Sequence, residues 1–150
     1  MAQSLSNVYI HLIFSTKERR RWLTDEIRQD LHSYMATVLK NIQCPATIIN
    51  SVEDHIHLLF KLHRTTTQSK VVEDIKKHSS KWLKSQSPDL ALFSWQSGYG
   101  AFSVSESNLP QVSKYIERQK EHHQSHTFQD EYRAFLQRHR ITYDEHYLWD

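Results

Sequence analysis

His55-Ile56-His57-Leu58-Leu59-Phe60-Lys61-Leu62 is the stretch from which the fold can be worked out. Successive side chains of a β-strand point to opposite faces. Ile56, Leu58, Phe60 and Leu62 therefore share one face, and His55, His57, Leu59 and Lys61 share the other. Residues 8–14 alternate in the same way, with Val8, Ile10, Leu12 and Phe14 opposed to Tyr9, His11 and Ile13. Two strands with one apolar face each need a cover, and the intervening sequence supplies it. Thr24 is a plausible N-cap, after which Ile27, Leu31, Tyr34, Met35, Val38, Leu39 and Ile42 form one helical stripe that ends before Pro45. Residues 46–52 are rich in β-branched side chains and read as another strand.

Downstream of the central strand, residues 68–85 form a second amphipathic helix, with Val71, Val72, Ile75 and Trp82 inward and Lys70, Lys77, Lys81 and Lys84 outward. After Pro88, residues 92–104 contain a strand interrupted by Gly98-Tyr99-Gly100, where unusual dihedrals or a close approach are expected. Asn108 and Pro110 open a third helix running to about His123, and Thr127 with Asp130 resembles a capping box before a fourth. The order βαββαβ followed by helices predicts an α+β fold, a ferredoxin-like (RRM-like) antiparallel sheet with helices on one face. The face carrying His55 and His57 is expected to stay available for a site.

The 150 residues predict one domain spanning 1–150. Only 2 Gly and 3 Pro exclude collagen-like and Gly/Pro-rich disordered chains. The lone Cys44 cannot form an internal disulfide, and no signal peptide or membrane-length apolar run is read, so the expected location is the cytoplasm. A net charge of +2 means that any nucleic-acid surface must come from local clusters.

Two features point to chemistry. The strand period places the His55 and His57 imidazoles on one side, about 6 to 7 Å apart, where both can converge on one divalent ion. On the third helix, Leu109, Val112 and Ile116 form the apolar edge, while Tyr115, Gln119 and His123 succeed one another a turn apart. Taken singly, a His-x-His pair is more often plain sheet polarity, and a tyrosine on a helix more often an ordinary amphipathic residue.

Together the segments are more specific. His55-Ile56-His57-Leu58-Leu59, Gly98-Tyr99-Gly100-Ala101-Phe102-Ser103, Tyr115-Ile116-Glu117-Arg118-Gln119, His122-His123 and Phe128-Gln129-Asp130-Glu131-Tyr132 resemble the single-tyrosine HUH transposases of bacterial insertion sequences. The resemblance runs from about residue 8 to residue 149. It implies a DNA transposase, a metal-dependent single-stranded DNA endonuclease and strand transferase whose C-terminal helices carry the catalytic tyrosine. Tyr115 matches the nucleophile that forms a 5′-phosphotyrosine intermediate. His55 and His57 match the two metal-binding histidines and Gln119 the third ligand. His122 and His123 match the family pattern but receive no chemical role.

The resemblance further implies Mg2+ or Mn2+ as cofactor, hairpins at transposon ends as the DNA partner, and a homodimer. Two imidazoles alone would suit zinc or another borderline transition metal, while a phosphate supplying oxygen ligands makes Mg2+ or Mn2+ reasonable. Lys17, Arg19, Arg20 and Arg21 before the first helix, and Lys77, Lys81 and Lys84 on the second, are the candidate phosphate contacts. Trp95 and Tyr99 are candidates for base stacking, with core packing favoured for Trp95. The rival readings are a non-catalytic nucleic-acid binder, a domesticated relative acting on chromosomal repeat hairpins, and a hydrolytic zinc enzyme.

Overall fold

The alternating stretches become strands because each has one apolar face to bury. β1 (Val8–Ser15), β2 (Ala46–Ser51), β3 (His55–Leu62) and β4 (Gly100–Val104) form one antiparallel sheet in the order β2-β3-β1-β4. The structure is a computed structural model describing residues 2–150. β1 and β3 lie at the centre, with Phe14 opposite Ile56 and Ser15 opposite His55. This is the expected ferredoxin-like arrangement.

On one sheet face, Ile10, Leu12, Phe14, Ile56, Leu58 and Phe60 pack against two helices, α1 (Asp25–Asn41) and α2 (Gln68–Gln86). Burying each aliphatic side chain contributes roughly 1.5–3 kcal/mol, so this layer holds most of the folding energy. α1 ends where Gln43 takes a φ of 62° and the Cys44 amide returns to the Leu39 carbonyl at 2.9 Å.

The expected strand over 92–104 is shorter. Only Gly100–Val104 is ladder, and Trp95 makes an isolated bridge to Thr16. Lys76 Nζ donates to the carbonyls of Gln96, Ser97 and Gly98 at 2.8, 3.2 and 2.7 Å, so these groups are not free for a neighbouring strand. Trp95 is a core residue whose Nε1 donates to Ser79 Oγ at 2.9 Å. Gly100 serves close approach and has no left-handed φ. A Cβ there would lie 2.7 Å from Tyr132 Cε1.

The second sheet face differs most from expectation, because it is covered. α3 (Leu109–Glu117), α4 (Gln119–His122) and α5 (Phe128–Arg138) follow β4. Phe128, Tyr132, Phe135 and Leu136 of α5 pack on Ile13 and Phe102, with Tyr143, Leu148 and Trp149 alongside. The apolar stripe of α5 needs burial, and the odd-numbered positions of β1 provide its partner. The third helix does not run unbroken to His123. It breaks at Arg118 (φ −95°, ψ 24°), where Asn50 Nδ2 donates to the carbonyls of Ile116 and Glu117 at 2.8 and 3.1 Å. Among the described residues, no helix is long and apolar enough to cross a membrane.

Candidate active site

β3 directs His55 and His57 away from the α1/α2 core, into the layer under α3–α5, where their side chains are 1% and 0% exposed. Asn50, paired with His57 across the β2/β3 ladder, ties the end of α3 to the sheet through its two hydrogen bonds and so positions Tyr115. Gln119 opens α4 and is fully buried, with its Oε1 3.3 Å from His55 Nε2. The expected neighbourhood of Tyr115, Gln119 and the histidine pair is therefore present within one chain, despite the break between α3 and α4.

Its centre is a residue to which the sequence reading gave no role. Glu131 on α5 places Oε1 3.3 Å from His55 Nε2, 3.1 Å from His57 Nε2 and 3.1 Å from His123 Nε2. Its other oxygen, Oε2, accepts a hydrogen bond from the Tyr115 hydroxyl and lies 3.4 Å from His122 Nε2. One carboxylate thus spans the histidine group on one side and the phenol on the other. His55, His57, His123 and Glu131 offer donor atoms all within 4.8 Å of one another, a set able to hold a metal ion.

Outer partners orient the rings. His55 Nδ1 is 2.7 Å from Asp54 Oδ1, His57 Nδ1 is 2.8 Å from His11 Nε2, and His123 Nδ1 is 2.7 Å from the His126 carbonyl. The electrostatics follow from burial and these contacts. Burial alone would depress His55, but the Asp54 and Glu131 carboxylates outweigh it and raise its pKa to about 9. Burial dominates at His57 and His11 and lowers both. Glu131 would be raised by burial, yet His57, His123 and His55 hold it far below the usual carboxylate range. Burial and the Glu131 charge push the Tyr115 phenol well above its ordinary value.

Two openings flank the phenol. One, of about 550 Å³, is lined by Gln111, Lys114, Tyr115, Arg118, Glu121 and His122. The other, of about 210 Å³, lies between Tyr115, His122 and the Glu131–Arg138 side of α5. Lys114, Arg118 and Arg138 line these openings together with the acidic Glu121, Asp130 and Glu131.

The candidate phosphate contacts separate into two regions. The 17–21 loop begins two residues after Ser15, the β1 residue opposite His55, so it lies at the histidine end of the sheet. Within it, Arg19 rests over the Trp149 ring at 5.5 Å, Arg20 pairs with Glu18 at 3.6 Å while staying exposed, and Lys17 and Arg21 are exposed too. Lys77, Lys81 and Lys84 are exposed on α2, on the far side of the sheet from the histidines. Tyr99 is partly buried against the main core.

His11 and Glu131 both carry a signal in the sequence. His11 shares a face with Ile13 on a strand neighbouring the His-x-His pair, and Glu131 is a charge inside the Phe128, Tyr132, Phe135 stripe.

A family model for IS200-like transposases matches residues 4–119. No curated protein matches the chain. Among solved structures, the chain is similar to a crystal structure of a proposed transposase from Deinococcus radiodurans R1, with 24% identity and a TM-score of 0.62, over 79% of this chain and 98% of that one. It is also similar to a REP-associated tyrosine transposase bound to a REP hairpin, with 15% identity and a TM-score of 0.61, over 82% and 72% of the two chains. Both likenesses bear on the fold.

Proposed function

Because this chain belongs to the IS200-like transposase family, we propose that it cleaves and rejoins single-stranded DNA through Tyr115, with a divalent cation held by His55, His57 and Gln119. The observation that carries this reading is the shared carboxylate. The Tyr115 hydroxyl and both imidazoles contact the two oxygens of Glu131, so phenol and histidines are within one functional group of each other. The donor set fits a cation, since imidazole nitrogens and an amide oxygen converge in a buried site beside an anionic side chain.

In the proposed reaction the Tyr115 oxygen attacks a backbone phosphorus. The Tyr115–phosphate bond forms as the bond from phosphorus to the 3′ oxygen breaks. The phenol gives up its proton, and the departing 3′ oxygen gains one. The 5′-phosphotyrosine conserves the bond energy, so a second 3′-OH can reverse the exchange on a different strand without an external energy source. Mg2+ or Mn2+ would supply charge stabilisation on the phosphate oxygens. The chain's own part is alignment: α3 aims the phenol, β3 aims the imidazoles, and Lys114, Arg118 and Arg138 offer cationic contacts to the phosphates beside them.

Hairpin-flanked single strands are the proposed substrate, supported by the hairpin bound to the structural relative. Joining two ends requires two tyrosines, which a homodimer would supply. Within the single chain described, the Tyr115 phenol lies beside the His57 ring.

The test mixes the protein with labelled single-stranded DNA carrying flanking hairpins, with Mg2+, Mn2+ or chelator. A metal-dependent protein–DNA adduct that survives a denaturing gel is expected and should vanish in Tyr115→Phe. An undiminished adduct in that variant would rule Tyr115 out as nucleophile. His57→Ala should abolish cleavage while keeping most hairpin affinity; equal loss of both would mark His57 as a folding residue.

A further inference from the structure

The family match ends at Gln119, yet the next twelve residues bring two more donors to the histidine pair. His123 Nε2 approaches Glu131 Oε1 at 3.1 Å, the same oxygen that His55 and His57 approach from β3. We propose that His123 and Glu131 complete the cation site. Three imidazoles and a carboxylate then hold the ion with Gln119 beside them, and this donor set favours a borderline transition metal such as cobalt or zinc over Mg2+. This inference rests on the reading of His55 and His57 as cation ligands.

The outer contacts carry the argument. Asp54 Oδ1 and the His126 carbonyl can only accept hydrogen bonds, so His55 and His123 present their N–H at Nδ1. Nε2 of both rings then faces Glu131 Oε1, and Gln119 Oε1 is a further oxygen 3.3 Å from His55 Nε2, so the ring nitrogens and both oxygens converge on one point. Such a convergence calls for positive charge at its centre, which either Nε2 protons or a bound cation supplies. Ligating histidines characteristically have their other ring nitrogen held by a carboxylate or a carbonyl in this manner.

Charge balance points the same way. Within 4.0 Å of Glu131 the charge partners among the described residues are all histidines, with no Lys or Arg. A carboxylate only 1% exposed therefore depends on positive charge brought by these imidazoles or by an ion that they hold. A divalent ion supplies that charge. The donors select the ion: Mg2+ demands oxygen ligands and gives up water reluctantly, whereas imidazole suits the later first-row metals.

The test uses the wild-type chain labelled with 15N-histidine and titrated with Zn2+, reading the ring nitrogens by long-range proton–nitrogen spectra. Nε2 of His55, His57 and His123 should shift together and saturate at one equivalent, while His122 and His126 stay in place and Mg2+ moves the three only at far higher concentration. Shifts confined to His55 and His57 would overturn the inference and leave the cation-site reading standing. No shift at any of the three would remove that reading as well. An equal response to Mg2+ would refute the donor-set argument. For the carboxylate, Glu131→Gln should lose ~10-fold or more in Zn2+ affinity by chelator competition, and unchanged affinity would exclude Glu131. The carboxyl 13C shift of Glu131 in the wild type, which must move with Zn2+, decides the same point should the variant not fold.

Discussion

A carboxylate at the centre of four imidazoles and a phenol shows how far a residue's chemistry depends on its surroundings. In sequence, Glu131 is one acidic residue among many; in the folded chain, histidine contacts keep it ionised against the burial that would neutralise it. The opposite balance holds at His32 on α1, whose Nε2 is 2.7 Å from Ser51 Oγ. Burial first, and then the Arg28 charge, lower its pKa from 6.5 to about 4. As pH falls from 6.5 toward 4, the unfolded chain takes up a proton that the folded chain refuses, so stability drops across that window. With allowance for the ring's partial exposure, His32 accounts for about 2 kcal/mol of that loss. His32→Gln should therefore lose less stability than the wild type between pH 7 and pH 4, measured by urea unfolding midpoints. The other buried histidines titrate in both proteins and cancel in the comparison. Parallel loss in the two proteins would show that the His32 ring is not depressed.

At the level of elements, periodicity was informative where an element is held by its own residues. The α5 cap is such a case: Thr127 Oγ1 accepts from the Asp130 amide at 3.1 Å, as the Thr/Asp spacing predicts. Thr127→Ala should cost about 1 kcal/mol. Because α5 carries Glu131, the loss should appear as faster amide exchange across Phe128–Arg138 with the central strands little changed. Uniform acceleration across the sheet would mean that α5 does not open separately. The break between α3 and α4 was not legible, because its cause is Asn50, distant in sequence, which takes the carbonyls that a continuous helix would use. The truncation of the strand before Gly100 has the same origin, in Lys76 and its three carbonyl partners.

Across the whole molecule, the sheet divides the candidate DNA contacts. The 17–21 loop lies at the histidine end, and the α2 lysines lie behind the opposite layer. On the proposed function, Lys17→Ala with Arg21→Ala should weaken binding of a hairpin-flanked single strand and reduce the slope of log affinity against log salt by roughly 0.7 per lost phosphate contact. Lys77→Ala with Lys81→Ala should change that slope less, and the reverse ranking would place the DNA path on the helical layer behind the sheet. β1 to β3, the first two helices and the His55/His57 face were determined by the sequence alone, because two- and 3.6-residue periods are local properties of a chain burying one apolar face. Tertiary structure alone decided that α5 closes over that face and delivers Glu131 and His123 to it. Those contacts join residues tens of positions apart, and a helix's apolar stripe states that it must be covered without saying by which surface.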